Sequence, residues 1–156
     1  MTNGSNALHF FYDAQNRPAI VVYNGTAYGY VHNLQGDIIA IVDSAGTKVV
    51  EYKYDAWGKP LSKTGTMAST LGKWNPFRYR GYVYDEETNL YYLRSRYYNA
   101  TCFRFVNTDS LIANSVNHTR HNLFAFCADN PVIYSDPDGY EAISMTANAV
   151  SSGTGM

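Results

Sequence analysis

Residues 77–98 decide the fold, and they read FRYRGYVYDEETNLYYLRSRYY. Tyrosines recur on both sides of a central Asp-Glu-Glu-Thr-Asn segment, where they alternate with arginine and other side chains. Alternation with a period of two is typical of half-buried strands. Asp and Asn, at the two ends of Asp85–Asn89, are residue types that tight turns favour. The stretch therefore predicts two strands joined by a tight turn.

The composition of the whole chain also indicates a β-rich protein. The chain has 156 residues, of which 15 are tyrosine, and this length suits one modest domain or a piece of a larger protein. Tyrosine favours pleated, half-buried surfaces because its ring packs while its hydroxyl reaches water or a partner. With 12 basic and 13 acidic residues the net charge is -1. We therefore expect no nucleic-acid partner and no binding to an anionic membrane surface.

Targeting and membrane signals are a separate question. The first residues, Met1–Asn6, have neither the basic region nor the apolar region of a signal peptide, so we expect no signal peptide in this chain. No stretch is long and apolar enough to span a bilayer, and we expect no membrane insertion.

Residues 1–62 contain a degenerate repeat whose centre is Asp or Asn, two further residues, and then Gly or Asn. The four copies are Asp13–Asn16, Asn33–Gly36, Asp43–Gly46 and Asp55–Gly58. Asp or Asn at the first position caps the turn with its own side chain, and Gly or Asn at the fourth supplies a left-handed backbone angle. Segments rich in Val, Ile and Tyr separate the turns, at Ala19–Tyr23, Ala27–His32, Asp37–Val42 and Thr47–Tyr54. The repeat predicts antiparallel hairpins.

The remaining segments carry weaker signals. Residues 63–75 are small and polar and predict a loop or hinge. Residues 122–128 fit one helix or a buried strand equally well, because seven residues do not separate the two periods. A last strand is expected at 132–134, and Asp136–Gly139 has the Asp, Pro and Gly positions of a type I turn. We expect residues 141–156 to be mobile.

Four blocks, in this order, resemble the RHS-repeat-associated core domain, which caps the C-terminal end of bacterial RHS/YD-repeat proteins. The blocks lie within residues 76–139 and are Phe77–Tyr82, Tyr84–Tyr98, Arg104–Asp109 and Asn130–Gly139. Tyr12-Asp13 and Tyr54-Asp55 are similar to the Tyr-Asp pair of the YD repeat. The resemblance implies hairpins stacked into a twisted antiparallel sheet, followed by a core of short strands and turns with at most one short helix. The repeats alone also fit an ordinary meander of hairpins.

The resemblance also implies an organisation and a setting. It divides the chain into YD-type hairpins at 1–62, a linker at 63–75, the core at 76–140 and a flexible tail at 141–156. It implies that the core plugs a shell of repeats in a secreted or cell-surface bacterial protein, of the polymorphic toxin or wall-associated type. The expected partners are the rest of that shell or a second copy of the chain.

In the family that the chain resembles, the core cuts its own chain once, just after the final Asp-Pro-x-Gly motif. Carried over motif by motif, the catalytic aspartates are Asp109 and Asp136, and Arg96 is a supporting arginine. The cut then falls between Tyr140 and Glu141, with the chain itself as the substrate. Tyr140 stands where the family most often has leucine, and this departure leaves open a cut displaced towards Met145, or no cut at all.

A pair of aspartates suits peptide hydrolysis. Two carboxyl groups close together share one proton, so one takes a proton from water while the other donates one to the amide. A nearby arginine holds one carboxylate ionised and in place. A tethered substrate removes the entropic cost of bringing the bond to the site.

The residues alone leave two possible functions open. One is a single-turnover autoproteolytic aspartic peptidase. The other is a non-catalytic β scaffold that binds a partner chain or surface carbohydrate through its aromatic face, because an Asp-Pro-x-Gly motif by itself is usually only a turn. His118 and His121 match no standard metal-binding spacing, so we expect no metal and no cofactor.

Overall fold

Strands dominate the structure, a computed structural model that describes residues 2–3, 5–108 and 122–145. The mostly β class expected from the sequence is confirmed. The described residues divide into two compact units. The first contains the chain up to Asp55 together with Pro60–Val83, and the second contains Ala56–Lys59 together with the chain from Tyr84 onward. The four domain bounds expected from the sequence stay predictions about separately folding parts.

The first unit is built on a seven-stranded sheet in which each strand pairs antiparallel with the next one along the chain. This order is what consecutive hairpins produce. The strands are β1 (Thr2–Asn3), β2 (Asn6–Tyr12), β3 (Pro18–Tyr23), β4 (Thr26–His32), β5 (Ile38–Val42), β6 (Lys48–Tyr54) and β7 (Pro60–Thr64).

The turns expected from the repeat are confirmed. In three of them the first side chain accepts, through Oδ1, the backbone N–H groups two and four residues further along, each at 2.9 Å. These first residues are Asp13, Asn33 and Asp43. Asn16 and Gly46, which end two of the turns, have φ angles of 60° and 80°. The repeat therefore works by the local mechanism that its residue types indicated.

The sequence analysis did not predict a further hairpin, which joins β3 and β4. Tyr23 pairs with Thr26, so only Asn24 and Gly25 form the loop, with φ angles of 49° and 86°. Positive φ at both positions identifies a type I′ turn, for which Asn-Gly is the favoured dipeptide. The signal was present in the sequence, as the dipeptide between two strand-like segments.

The segment predicted as a loop or hinge, 63–75, contains regular structure at both ends and a bend and turns at 65–70. Strand β7 continues to Thr64, and Leu71–Trp74 forms helix α1. Leu71 is fully buried in the same hydrophobic cluster as Val50. A side chain on Gly72 would place its Cβ 2.9 Å from the side chain of Val50. Glycine there lets the helix approach the sheet closely, which small and polar composition alone did not indicate.

The second unit contains a four-stranded sheet in the order β11-β10-β9-β8. The strands are β8 (Val83–Asp85), β9 (Leu90–Tyr92), β10 (Tyr97–Asn99) and β11 (Arg104–Phe105). The predicted turn at Asp85–Asn89 is confirmed: Asn89 has a φ of 59°, and its N–H donates to the carbonyl oxygen of Asp85 at 2.8 Å.

The strands on either side of that turn are shorter than the alternation predicted. A 3-10 helix at Tyr79–Gly81 precedes β8, and its Arg80 has a φ of 56°. A tight turn at Leu93–Arg96 interrupts the second predicted strand, with the Leu93 N–H donating to the Arg96 carbonyl oxygen at 2.9 Å. Arg94 in this turn has a φ of 60°. The first break contains a turn signal, Gly81 with a φ of 70°, whereas the second contains no Gly, Pro or Asn.

The buried side of this sheet is aromatic. Tyr98 stacks on Phe126 with ring centroids 3.8 Å apart, and Phe105 packs edge-on against both. The hydroxyls of Tyr91 and Tyr98 donate to the carbonyl oxygens of Gly58 and Trp57, each at 2.6 Å. The tyrosines therefore both form the core and hold the Asp55–Gly58 turn, whose last residues belong to this unit.

Residues 122–145 complete the second unit. Residues 122–128 are neither the helix nor the strand that the sequence left open. Ala125 forms an isolated bridge with Arg104, and Cys127–Asp129 is a 3-10 helix. The strand predicted at 132–134 is β12 (Tyr134–Ser135), which begins two residues later than predicted. It pairs with a further strand, β13 (Ile143–Ser144). The beginning of the expected mobile tail is thus paired, and residues 146–156 lie outside the described residues. No helix in the described ranges is long and apolar enough to cross a membrane.

Candidate functional site

Asp136 is the centre of the site that the sequence predicted. It follows β12 directly and begins the Asp-Pro-Asp-Gly turn. Only 1% of its surface is exposed. Its Oδ1 accepts the backbone N–H of Gly139 at 2.8 Å, so the side chain closes its own turn, as the turn chemistry predicted.

Arg96 comes from the tight turn between β9 and β10 and reaches the same place. It is 6% exposed, and its guanidinium lies 3.6 Å from the ring centre of Phe105. Its Nε donates to the carbonyl oxygen of Gly139, and its Nη1 donates to the carbonyl oxygen of Leu123 at 3.2 Å. Its Nη2 lies 3.5 Å from Oδ2 of Asp136. One buried cation therefore contacts both the carboxylate and the backbone beside the predicted cut.

Ser95, next to Arg96, holds the preceding carbonyl. Its hydroxyl donates to the carbonyl oxygen of Asp138 at 2.7 Å. The turn at Leu93–Arg96 therefore holds two consecutive carbonyls of the Asp-Pro-Asp-Gly turn, those of Asp138 and Gly139. Sequence reasoning missed Ser95, because neither its type nor its position signals a contact with a turn 43 residues away.

The protonation state of Asp136 follows from its surroundings. Burial raises the pKa of the Asp136 carboxyl above its ordinary value. The hydrogen bond from Gly139 and the charge of Arg96 oppose this rise, while the negative charge of Asp138 adds to it. Since burial is the largest of these causes, Asp136 keeps a proton to higher pH than a free aspartate. A protonated carboxyl can act as a general acid.

Of the residues predicted for the site, Arg96 and Asp136 come together, while Asp109 lies outside the described residues. The pairing of Asp109 with Asp136 stays a prediction. Tyr140 is 41% exposed, and its N–H donates to Oδ1 of Asp138 at 3.2 Å. Glu141, on the other side of the predicted cut, is also exposed.

Metal ligands do not cluster in the ranges that the structure describes. No group of three or more His, Cys, Asp or Glu side chains there could hold a metal ion. His118 and His121 lie outside the described residues. The chemistry available at the site is that of carboxyl, guanidinium and hydroxyl groups.

Comparison with known proteins assigns the fold to a family. The model of the Teneurin YD-shell family matches residues 2–132. The tRNA nuclease WapA of Bacillus subtilis is 47% identical over 113 residues, which are 72% of this chain and 5% of WapA. Double-stranded DNA deaminase toxin A of Burkholderia cenocepacia is 32% identical over 100 residues, 64% of this chain and 6% of that toxin.

A solved structure has the same fold. The crystal structure of TcdB2-TccC3-Cdc42 matches with a TM-score of 0.70 and 26% identity, over 86% of this chain and 6% of that chain. The chain thus spans about a twentieth of the length of these relatives. The resemblance to RHS/YD-repeat proteins found in the sequence is confirmed, and the chain belongs to the Teneurin YD-shell family.

Proposed function

We propose that this chain is the core segment of a toxin-type RHS/YD shell protein, and that it cuts its own backbone once, between Tyr140 and Glu141. One observation carries the proposal. Asp136 is buried with a raised pKa, beside an arginine that also binds the carbonyl of Gly139, one residue before the proposed cut. A buried carboxyl with a perturbed pKa and a specific charged partner is typical of functional sites.

The reaction is hydrolysis of one peptide bond. The oxygen of a water molecule attacks the carbonyl carbon of Tyr140, and the bond from that carbon to the Glu141 nitrogen breaks. Asp109 takes a proton from the water, and Asp136 donates its proton to the leaving nitrogen. The products are a carboxylate at Tyr140 and an amine at Glu141. Asp136 has the acid role because burial favours its protonated form.

Arg96 acts on the backbone in this scheme. Its Nε bond to the Gly139 carbonyl and its contact with Asp136 connect the proposed acid to the segment that leads into the cut. A guanidinium keeps its charge at all relevant pH values, so this arrangement is unaffected by the proton transfers. The tethered bond needs no binding step, which suits a site that acts once.

The relatives support a carrier role for the segment. WapA is named a tRNA nuclease and the Burkholderia toxin a DNA deaminase, yet each shares with this chain only about a twentieth of its length. Because two relatives with different named activities share this segment, we infer that the segment has a function common to both, such as plugging the shell and releasing a C-terminal cargo. The proposed setting is a secreted or cell-surface bacterial protein, with the rest of the shell as partner.

Intact mass spectrometry of the purified chain tests the self-cleavage. We expect the wild type to yield residues 1–140 and 141–156. Asp136→Asn and Asp109→Asn should remain uncut or be cut about 100-fold to 10,000-fold more slowly, the usual contribution of a general acid or base. Asp129→Asn is the matched control, because Asp129 is exposed and has a φ of 60° that asparagine tolerates. This control should be cut like the wild type.

A wild type that stays intact at neutral and mildly acidic pH would overturn the self-cleavage. The same holds if Asp136→Asn is cut at the wild-type rate. Circular dichroism of each variant, compared with the wild type, separates a lost reaction from a lost fold.

The second candidate is the non-catalytic scaffold, and exposed aromatic rings favour it. Tyr92 and Tyr97 face each other across β9 and β10 with ring centroids 5.2 Å apart, and they are 43% and 45% exposed. Such a pair offers two exposed ring faces, tilted by 41° to each other, for a sugar ring or an apolar side chain. An intact wild type whose affinity for a carbohydrate or a partner chain falls in Tyr92→Ser would support this function.

A further inference from the structure

We propose that Asp138 is a positioning residue for the self-cleavage: its carboxylate accepts the backbone N–H of Tyr140 and so holds the residue before the cut. The inference rests on the proposed function. Asp138 fills the third position of the turn, where Asp-Pro-x-Gly accepts any residue, so the motif itself gives this position no role. The contacts of this particular chain give it one.

The first contact fixes the bond to be cut. Oδ1 of Asp138 accepts the backbone N–H of Tyr140 at 3.2 Å. The Asp138 carboxylate therefore holds this N–H, while 41% of the Tyr140 surface remains exposed. The carbonyl of Tyr140, which water attacks in the proposed reaction, follows directly from this anchored amide.

Asp138 is itself held in place. Its carbonyl oxygen accepts both the hydroxyl and the backbone N–H of Ser95, at 2.7 and 3.3 Å. The next carbonyl, that of Gly139, accepts from Arg96. The backbone between Asp138 and Tyr140 is thus fixed from both sides, so the Asp138 carboxylate acts from a defined position rather than from a free loop.

The second effect is electrostatic. Two charged groups in the described part of the chain act on Asp136: Arg96, from the turn between β9 and β10, and Asp138, from its own turn. They have opposite effects: Arg96 favours the ionised carboxylate, whereas Asp138 favours the protonated form. Asp138 offsets part of the influence of Arg96 and adds to the larger effect of burial, which favours the protonated carboxyl.

Two substitutions separate the effects. Asp138→Asn keeps an Oδ1 acceptor for the Tyr140 amide but removes the charge, and Asp138→Ala removes both. The rate of cleavage is measured against pH by mass spectrometry, with Asp129→Asn as the control for loss of one exposed carboxylate. In Asp138→Asn, Asp136 should lose its proton at lower pH, so the alkaline limb of the profile should move to lower pH. At the optimal pH, Asp138→Ala should cut about tenfold more slowly than Asp138→Asn, because it also loses the hydrogen bond to the Tyr140 amide and one hydrogen bond contributes about that factor.

The outcomes distinguish this inference from the proposed function. An alkaline limb that does not move in Asp138→Asn, in a wild type that cuts itself, overturns the electrostatic part alone. Equal optimal rates in Asp138→Asn and Asp138→Ala overturn the anchoring of Tyr140. If the wild type does not cut, the self-cleavage fails, but NMR titration of the Asp136 carboxyl still tests the charge effect. Equal Asp136 pKa values in the wild type and Asp138→Asn would then overturn it.

Discussion

Gly139 occupies a position in the candidate site that no other residue can fill without displacement. Its φ of 80° belongs to the left-handed region, and an added Cβ would lie 2.5 Å from Oγ of Ser95 and 2.7 Å from the carbonyl oxygen of Leu93. The second neighbour is backbone and cannot move aside cheaply. Glycine is therefore required twice, once for its backbone angle and once for its missing side chain.

We predict that Gly139→Ala lowers the free energy of unfolding of the second unit by about 1 kcal/mol for the backbone angle and by about 1–3 kcal/mol more for overpacking. Gly46→Ala is the control, since Gly46 has the same φ of 80° with nothing within 4 Å of an added Cβ. Urea unfolding gives both values, with Trp57 reporting on the second unit and Trp74 on the first, each in a background where the other is phenylalanine. Equal losses of unfolding free energy in the two variants would mean that Ser95 and Leu93 move to accommodate the added methyl group.

The site was predictable from the sequence only where residue type and motif coincide. Asp136 and Arg96 were both predicted through the family motifs, and turn chemistry by itself predicted only the turn that Asp136 begins. The structure brings these two together. Ser95 was not predictable because its contact with Asp138 spans 43 residues and no local pattern encodes it. Asp109, outside the described residues, stays a prediction.

Turns illustrate the same contrast at the level of the element. Those that begin with Asp13, Asn33 and Asp43 were predicted because each is held by its own first side chain. The turn at Leu93–Arg96 was not, since nothing local favours the φ of 60° at Arg94. The geometry of this turn depends instead on the hydrogen bonds that Ser95 and Arg96 donate to the distant Asp-Pro-Asp-Gly turn.

The local mechanism gives a prediction for Asp43. Its Oδ1 accepts the N–H groups of Ala45 and Thr47, so Asp43→Ala leaves both donors to water and should cost about 1 kcal/mol of stability in the first unit. Asp43→Asn should lower the stability of the first unit by only about 0.3 kcal/mol, because an amide oxygen accepts the same two hydrogen bonds. Asn33 already does so in the neighbouring turn. Urea unfolding followed by Trp74 fluorescence measures both, and an equal cost for the two substitutions would show that charge rather than hydrogen bonding matters.

At the scale of the whole molecule, the sequence predicted the succession of hairpins but not the way in which each unit is closed. Consecutive strands and local turns specify the seven-stranded sheet. The packing of helix α1 onto it depends on Gly72 lying against Val50, and on Arg78, whose guanidinium lies 4.4 Å from the ring centre of Tyr52 and donates to the Gly72 carbonyl at 2.7 Å. The contacts with Val50 and Tyr52 join residues that are distant in the chain. For this reason the polar composition at 63–75 did not indicate helix α1.

The sheet of the first unit ends at β7, and this edge leads to the last prediction. Among the residues that the structure describes, strand β7 pairs with β6 on one side and is the terminal strand of the sheet. We expect its other side to pair with a further strand. Leu61 on this strand is 63% exposed. We expect the chain to self-associate at high concentration, and Leu61→Lys to weaken that association because charge on an edge strand opposes edge-to-edge pairing. Leu34→Lys is the matched control, as Leu34 is fully exposed in a turn away from the edge. Sedimentation velocity over a concentration series measures both. A strict monomer at every concentration, or equal weakening by both substitutions, would show that β7 is not the associating edge.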